Sequence, residues 1–117
     1  MNALEKARFI AQVLDSKKGE EIKILRIKNL TILTDYFVIA GATSSTQLKA
    51  LADEVEYKMS EEKIEPHKIE GYHSDGWILM DYGDVVVHIF HKTARDFYCL
   101  EKLWADGEEI PLQAEEV

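Results

Sequence analysis

Cysteine is nearly absent from this chain. Cys99 is the only one, so no disulfide framework can form within it, and a reducing compartment is the expected setting. Long apolar runs are missing too. None approaches the roughly 20 residues that a helix needs to span a bilayer, and Met1-Asn2-Ala3-Leu4-Glu5-Lys6 lacks the apolar core of a secretory signal. A cytoplasmic protein without a membrane partner is expected. Positive charge is also scarce: 14 Lys and Arg stand against 22 Asp and Glu, a net charge of -8. Affinity for nucleic acid comes largely from Lys and Arg neutralising phosphates. The best basic stretches, Lys17-Lys18 and Lys23-Arg26-Lys28, are interrupted by acids or apolar residues. Direct nucleic-acid recognition is therefore not expected, and the acidic surface favours a basic protein partner.

What is present fits one domain with a real core. The 117 residues include 46% hydrophobic and 31% charged side chains, ordinary proportions for a globular protein. Asn2 with Glu5 reads as a capping box, and Leu4, Ala7, Ile10, Ala11 and Leu14 recur at helical spacing, predicting a helix over about residues 3–17 that stops at Gly19. Ile22–Lys28 predicts a strand and Asn29–Thr34 a loop. Tyr36–Ala40 is a continuous apolar run, the pattern of a strand buried on both faces. Ser44, paired with Gln47 in a second capping box, opens a long helix whose stripe is Leu48, Leu51, Ala52, Val55 and Met59. That helix ends before Pro66. A short strand follows near Lys68–Gly71, and a strand, a helix and a strand in this order predict a right-handed parallel crossover.

Trp77–Tyr82 and Val85–His91 are joined by Gly83-Asp84, a hairpin signal. Counting out from the turn pairs Tyr82 with Val85, Met80 with Val87 and Ile78 with Ile89 on a core face. The other face pairs Asp81 with Val86, Leu79 with His88 and Trp77 with Phe90. Thr93 and Asp96 cap a last helix through Phe97, Leu100, Leu103 and Trp104, which either covers that mixed face or leaves part of it open to a partner. Glu108–Val117 reads as a loose acidic tail, with the domain spanning 1–112 and residues 113–117 a short C-terminal extension.

Reactive constellations are sparse. His88 and His91 point to opposite faces of one strand and cannot form a local ligand pair, and nothing specifies that His67 or His73 joins either. No metal or cofactor site is expected. Asp75-Gly76 and Gly83-Asp84 are ordinary turn pairs, whereas Asp81, an acid within a strand, is either solvated or placed to meet a partner's cation. Gly41-Ala42-Thr43-Ser44-Ser45 lies between a strand and a helix but lacks the P-loop lysine and the dinucleotide-binding glycine pattern, so helix capping explains it better. Cys99 has no base nearby, and no nucleophile motif occurs. Trp77, at the end of the hairpin away from the turn, and Tyr98 and Lys102, off the main stripe of the helix, are best placed to reach a partner, and Trp and Tyr often dominate binding energy.

Several of these stretches carry a resemblance. Asp35-Tyr36-Phe37-Val38-Ile39-Ala40-Gly41, Ser44-Ser45-x-Gln47, Glu70-Gly71, Gly76-Trp77-x-Leu79-x-Asp81-Tyr82-Gly83-Asp84-Val85-Val86-Val87-His88-x-Phe90 and Tyr98-x-Leu100-Glu101-x-Leu103-Trp104 resemble the ribosomal silencing factor family RsfS, also called Iojap-like. The resemblance runs from the first helix to Pro111. It implies an α/β domain with a mixed, roughly five-stranded sheet flanked by helices, related to the nucleotidyltransferase fold. It also implies binding to the large ribosomal subunit through its L-fourteen protein, which blocks joining of the small subunit and lowers translation when nutrients are short, and homodimerisation of the free protein. Nucleotidyltransferases hold Mg²⁺ with an Asp-x-Asp pair, and this chain contains none, so a non-enzymatic repressor is expected. Trp77, Tyr98 and Leu103 are then the candidate apolar anchors, Asp81, Tyr82 and Asp84 the candidate polar contacts to Lys or Arg, and Trp104 belongs to the same partner-binding set.

Overall fold

The structure, a computed structural model, describes residues 1–27, 34–73, 76–92 and 108–112. The element order is α1 (Ala3–Ser16), β1 (Glu20–Arg26), β2 (Tyr36–Ala42), α2 (Ser45–Glu61), β3 (Lys68–Glu70), β4 (Trp77–Asp81), β5 (Val85–His91) and β6 (Glu108–Ile110). The strands form one sheet in the order β3-β4-β5-β2-β1-β6. β2 and β5 pair in parallel and every other pair is antiparallel, so the sheet is mixed, as expected.

Local chemistry sets the helix ends. Asn2 Oδ1 accepts from the Glu5 amide at 2.8 Å and Glu5 Oε1 accepts from the Asn2 amide at 3.0 Å, completing the capping box. At α2, Ser44 Oγ accepts from the Gln47 amide at 3.0 Å, but the reciprocal half of the expected box is not made. Gln47 Oε1 instead accepts from the amide and hydroxyl of Thr43, and its Nε2 donates to the Lys18 carbonyl at 3.1 Å, which ties the start of α2 to the end of α1.

Both helices stop in the same way. Gly19 N–H donates to Leu14 O and Lys18 N–H to Asp15 O, while Ile64 N–H donates to Met59 O and Lys63 N–H to Ser60 O, the paired bonds of a Schellman motif. The left-handed residue is a lysine each time, Lys18 at φ 64° and Lys63 at φ 62°, and not Gly19 as the sequence suggested. Lys63→Gly should raise stability by roughly 0.5–1 kcal/mol, because glycine escapes the Cβ clash of this conformation and returns only part of that gain as extra unfolded-chain entropy. Urea unfolding measures it, and an unchanged or lowered midpoint would count against this account of the helix end.

Both helices pack on one face of the sheet. Their stripes (Ala7, Ile10, Ala11 and Leu14; Leu48, Leu51, Val55 and Met59) bury Ile24, Val38, Ala40, Ile78, Met80, Val85, Val87 and Ile89 in the main core. Burial of each large aliphatic contributes about 1.5–3 kcal/mol. β2 is buried along its whole length, as its unbroken apolar run predicts. The hairpin register is also the expected one: Trp77 opposes Phe90, Ile78 opposes Ile89, Leu79 opposes His88, Met80 opposes Val87 and Asp81 opposes Val86. Gly83 turns the chain at φ 87°, open to glycine without strain.

One expectation is refined and one changes. The connection from β2 through α2 does reach a strand parallel to β2, but it passes over two strands: β5 lies beside β2, and β3 lies at the sheet edge beyond β4. The apolar Val85-Val86-Val87-His88-Ile89-Phe90 suits an interior strand, while the short, charged Lys68-Ile69-Glu70 suits an edge. The acidic segment from Glu108 is also not loose at its start. Glu108–Ile110 pairs with β1 as a sixth strand. Ile110 is buried against Ile24, Arg26 lies 3.9 Å from Glu108, and Arg8 Nε donates to the Pro111 carbonyl at 3.2 Å. One buried isoleucine and an open strand edge are enough to recruit an otherwise polar triplet.

Candidate functional site

Strand alternation sends the remaining side chains to the face away from the helices. Register places Asp81, Val86, Phe37 and Leu25 in one row across the sheet, Glu70, Leu79, His88 and Ile39 in the next, and Trp77 with Phe90 in a third. Leu25, Ile27, Phe37, Ile39 and Phe90 form a second buried cluster, with Trp77 and Val86 packed against it and half-buried. The face is therefore closed over β1 and β2 and half-open over β3 and β4.

Trp77 stands at the boundary. Its ring stacks on Phe90 at 5.2 Å between centroids, and its Nε1–H donates to His88 Nδ1 at 3.2 Å. His88 is buried, with the Phe37 ring 4.5 Å away in an edge-on arrangement. Burial pushes its pKa down to about 4. With Nδ1 accepting, the neutral imidazole carries its proton on Nε2, and that atom has no hydrogen-bond partner.

The expected polar contacts are distributed otherwise than the sequence implied. Asp81 Oδ1 accepts from the Gly83 amide at 2.8 Å, so the unexpected in-strand acid builds its own turn. Asp84 accepts from Lys6 Nζ at 2.7 Å, and its carbonyl accepts from the amides of Asp35 and Tyr36, joining α1, the hairpin turn and the start of β2. Tyr82 is buried in the helix-side core. Its hydroxyl lacks a partner and its pKa is raised, first by burial and then by the charges of Glu56 and Glu65. Tyr98, Leu103 and Trp104, with the helix expected from Thr93, lie outside the described residues, as do Asp75 and residues 29–33 of the expected loop.

Lys6 is only 12% accessible in its side chain. Lys6→Met should cost about 1–3 kcal/mol, the range for a hydrogen bond between charged groups with one partner left behind. A double-mutant cycle with Asp84→Asn measures the coupling, and additive losses would show that the pair is not energetically linked.

Among the described residues, two concavities flank β3. An open one of about 530 Å³, between α2 and the end of β3, is lined by Asp53, Glu56, Ile69, Gly71, Tyr72 and His73. In it Tyr72 Oη donates to both Asp53 carboxylate oxygens, at 2.9 and 3.1 Å, which raises the phenol pKa. A smaller cleft of about 140 Å³ is lined by Glu70, Gly71, Trp77 and Leu79. Among the described residues no group of three or more His, Cys, Asp or Glu side chains is placed to hold a metal ion, and no helix is long and apolar enough to cross a membrane. What the open edge of this face offers is an aromatic and aliphatic strip, Trp77 and Leu79, with Glu70, Lys68 and Asp81 beside it.

Residues 1–117 match the family model described as ribosomal silencing factor during starvation. The chain belongs to the RsfS family. It is 38% identical over 113 residues to the ribosomal silencing factor RsfS of Halalkalibacterium halodurans, with 97% of each chain covered. It is 40% identical over 107 residues to the RsfS of Bacillus subtilis, covering 92% of this chain and 91% of that one. A crystal structure of a Chromobacterium violaceum protein superposes with a TM-score of 0.87 at 34% identity, covering 98% of this chain and 95% of the other. These RsfS relatives carry the name of a regulatory silencing factor and not of an enzyme.

Sequence reasoning missed His88 as the acceptor for Trp77, although the hairpin register carried the signal. Trp77 opposes Phe90 and His88 opposes Leu79, so the two rings are diagonal neighbours within reach of one another. No comparable signal announced Lys6 with Asp84 or Tyr72 with Asp53, because those pairs join elements far apart in the chain.

Proposed function

We propose that this chain is a non-enzymatic translation repressor that binds the large ribosomal subunit through its L-fourteen protein and sterically blocks association with the small subunit. The observation that carries this reading is the half-open Trp77 and Leu79 strip, with Glu70 and Asp81 beside it, on a protein with a net charge of -8. An indole with an apolar neighbour anchors a contact by desolvation, and the neighbouring carboxylates steer a basic protein toward it while repelling bare phosphate. Family membership supports the ribosome as the setting. A domain of 13.4 kDa lying across part of the joining surface would exclude the other subunit by volume alone, without chemistry. Homodimerisation of the free protein is part of the same reading.

Sedimentation tests it. Added in excess to purified subunits under joining conditions, the protein should migrate with the large subunit and reduce the joined particle in proportion to occupancy. Undiminished joining at saturating protein, or failure to bind both the large subunit and the isolated L-fourteen protein, would refute the proposal.

A further inference from the structure

The cleft lined by Glu70, Gly71, Trp77 and Leu79 combines an indole, an aliphatic wall and a carboxylate. The indole has one polar atom, Nε1, and its proton is donated to His88 Nδ1. His88 cannot easily turn away, since it is buried between β4 and β2 neighbours and packed by the Phe37 and Phe90 rings. Trp77 therefore offers the cleft a ring and no indole donor. A ring beside a carboxylate attracts an organic cation carried on an aliphatic stem, while the Glu70 charge repels a carboxylate or phosphate. Lys68 lies 3.2 Å from Glu70, but both side chains are more than half exposed, and such a screened pair yields readily to an incoming cation.

We propose that His88 is a positioning residue which, by holding the indole N–H of Trp77 inward, makes the cleft beside Trp77, Leu79 and Glu70 a subsite for a lysine or arginine side chain of the protein partner. The role in docking rests on the proposed function; the subsite itself does not. Burial keeps the imidazole neutral across the neutral pH range, so the accepting lone pair is always present there.

The test uses the free full-length chain and proton–nitrogen and methyl correlation spectra. Titration with N-acetyl-arginine amide should move the Trp77 indole and Leu79 methyl resonances saturably, and the uncharged N-acetyl-norleucine amide should not. In His88→Phe the indole N–H resonance should shift toward its water-exposed position and the arginine response should fall at least about fivefold, with partial recovery in His88→Gln, whose side-chain oxygen can accept. Equal responses to both probes overturn the subsite. An unchanged indole resonance in His88→Phe overturns the positioning role. Should that variant fail to fold, Glu70→Gln decides: its arginine response should drop about threefold, and an undiminished response refutes the proposal. A chain that takes arginine in this way yet ignores large subunits would sink the proposed function alone. A chain that binds subunits but does not discriminate the probes would sink only the subsite.

Discussion

Trp77→Ala is expected to weaken binding to large ribosomal subunits by at least about 2 kcal/mol, roughly thirtyfold in dissociation constant. The half-buried indole joins the described part of the mixed face to solvent, stacked on Phe90 and tethered to His88. Truncation removes the ring that a partner would desolvate, and it leaves His88 Nδ1 buried without its donor. Some loss of fold stability must follow, so binding should be compared at a temperature where circular dichroism shows both proteins folded. Tyr57→Ala supplies the control, because Tyr57 is 57% exposed on α2, away from the mixed face, and its loss should leave binding within about twofold. Parental affinity in Trp77→Ala would remove this strip from the docking surface.

The second large effect is on acid stability. His88 has a folded-state pKa lowered to about 4 from 6.5 because burial disfavours the charged ring. The unfolded chain therefore takes up a proton between pH 6.5 and 4 that the folded chain refuses. The stability this group contributes is fully present above pH 6.5 and is lost as the pH falls through that window, a loss on the order of 3 kcal/mol. Among the described residues no charged side chain opposes the ring across the strands, where its neighbours are Leu79 and Ile39. His88→Phe cannot titrate, so its stability should fall less steeply over the same range even though its value at neutral pH is lower. Carboxylates titrating in both proteins cancel in the difference. Parallel stability curves for parent and variant between pH 6.5 and 4 would show that His88 is not the responsible group.

Both effects trace to a hairpin whose geometry was readable in advance. Gly83-Asp84 forces a tight turn, and the two-residue alternation then assigns each side chain of β4 and β5 to a face. The helices were readable for a similar reason: Asn2 and Ser44 cap them locally, and their apolar stripes repeat at helical spacing. Tyr36–Ala40 was readable because a strand apolar on both faces must be buried on both, and the strand runs on to Ala42. Of the candidate site, Trp77 was legible as a half-open indole on the mixed face. Tyr82 was legible as core from its register yet also counted among the contacts, and the structure places it in the core.

The amino-acid sequence by itself determined α1, α2 and the strands β1 to β5, the hairpin register, the acidic character and the absence of an Asp-x-Asp pair, because each depends on neighbours a few residues apart or on composition. Only the tertiary structure decided that β5 and not β3 lies beside β2, that Glu108–Ile110 closes the far edge, that Asp84 is held by Lys6, and that the Trp77 proton is turned toward His88. Those choices depend on which burial and which charge pairings compete best once the whole chain is folded. Such competition between distant segments leaves no periodic mark in a linear sequence.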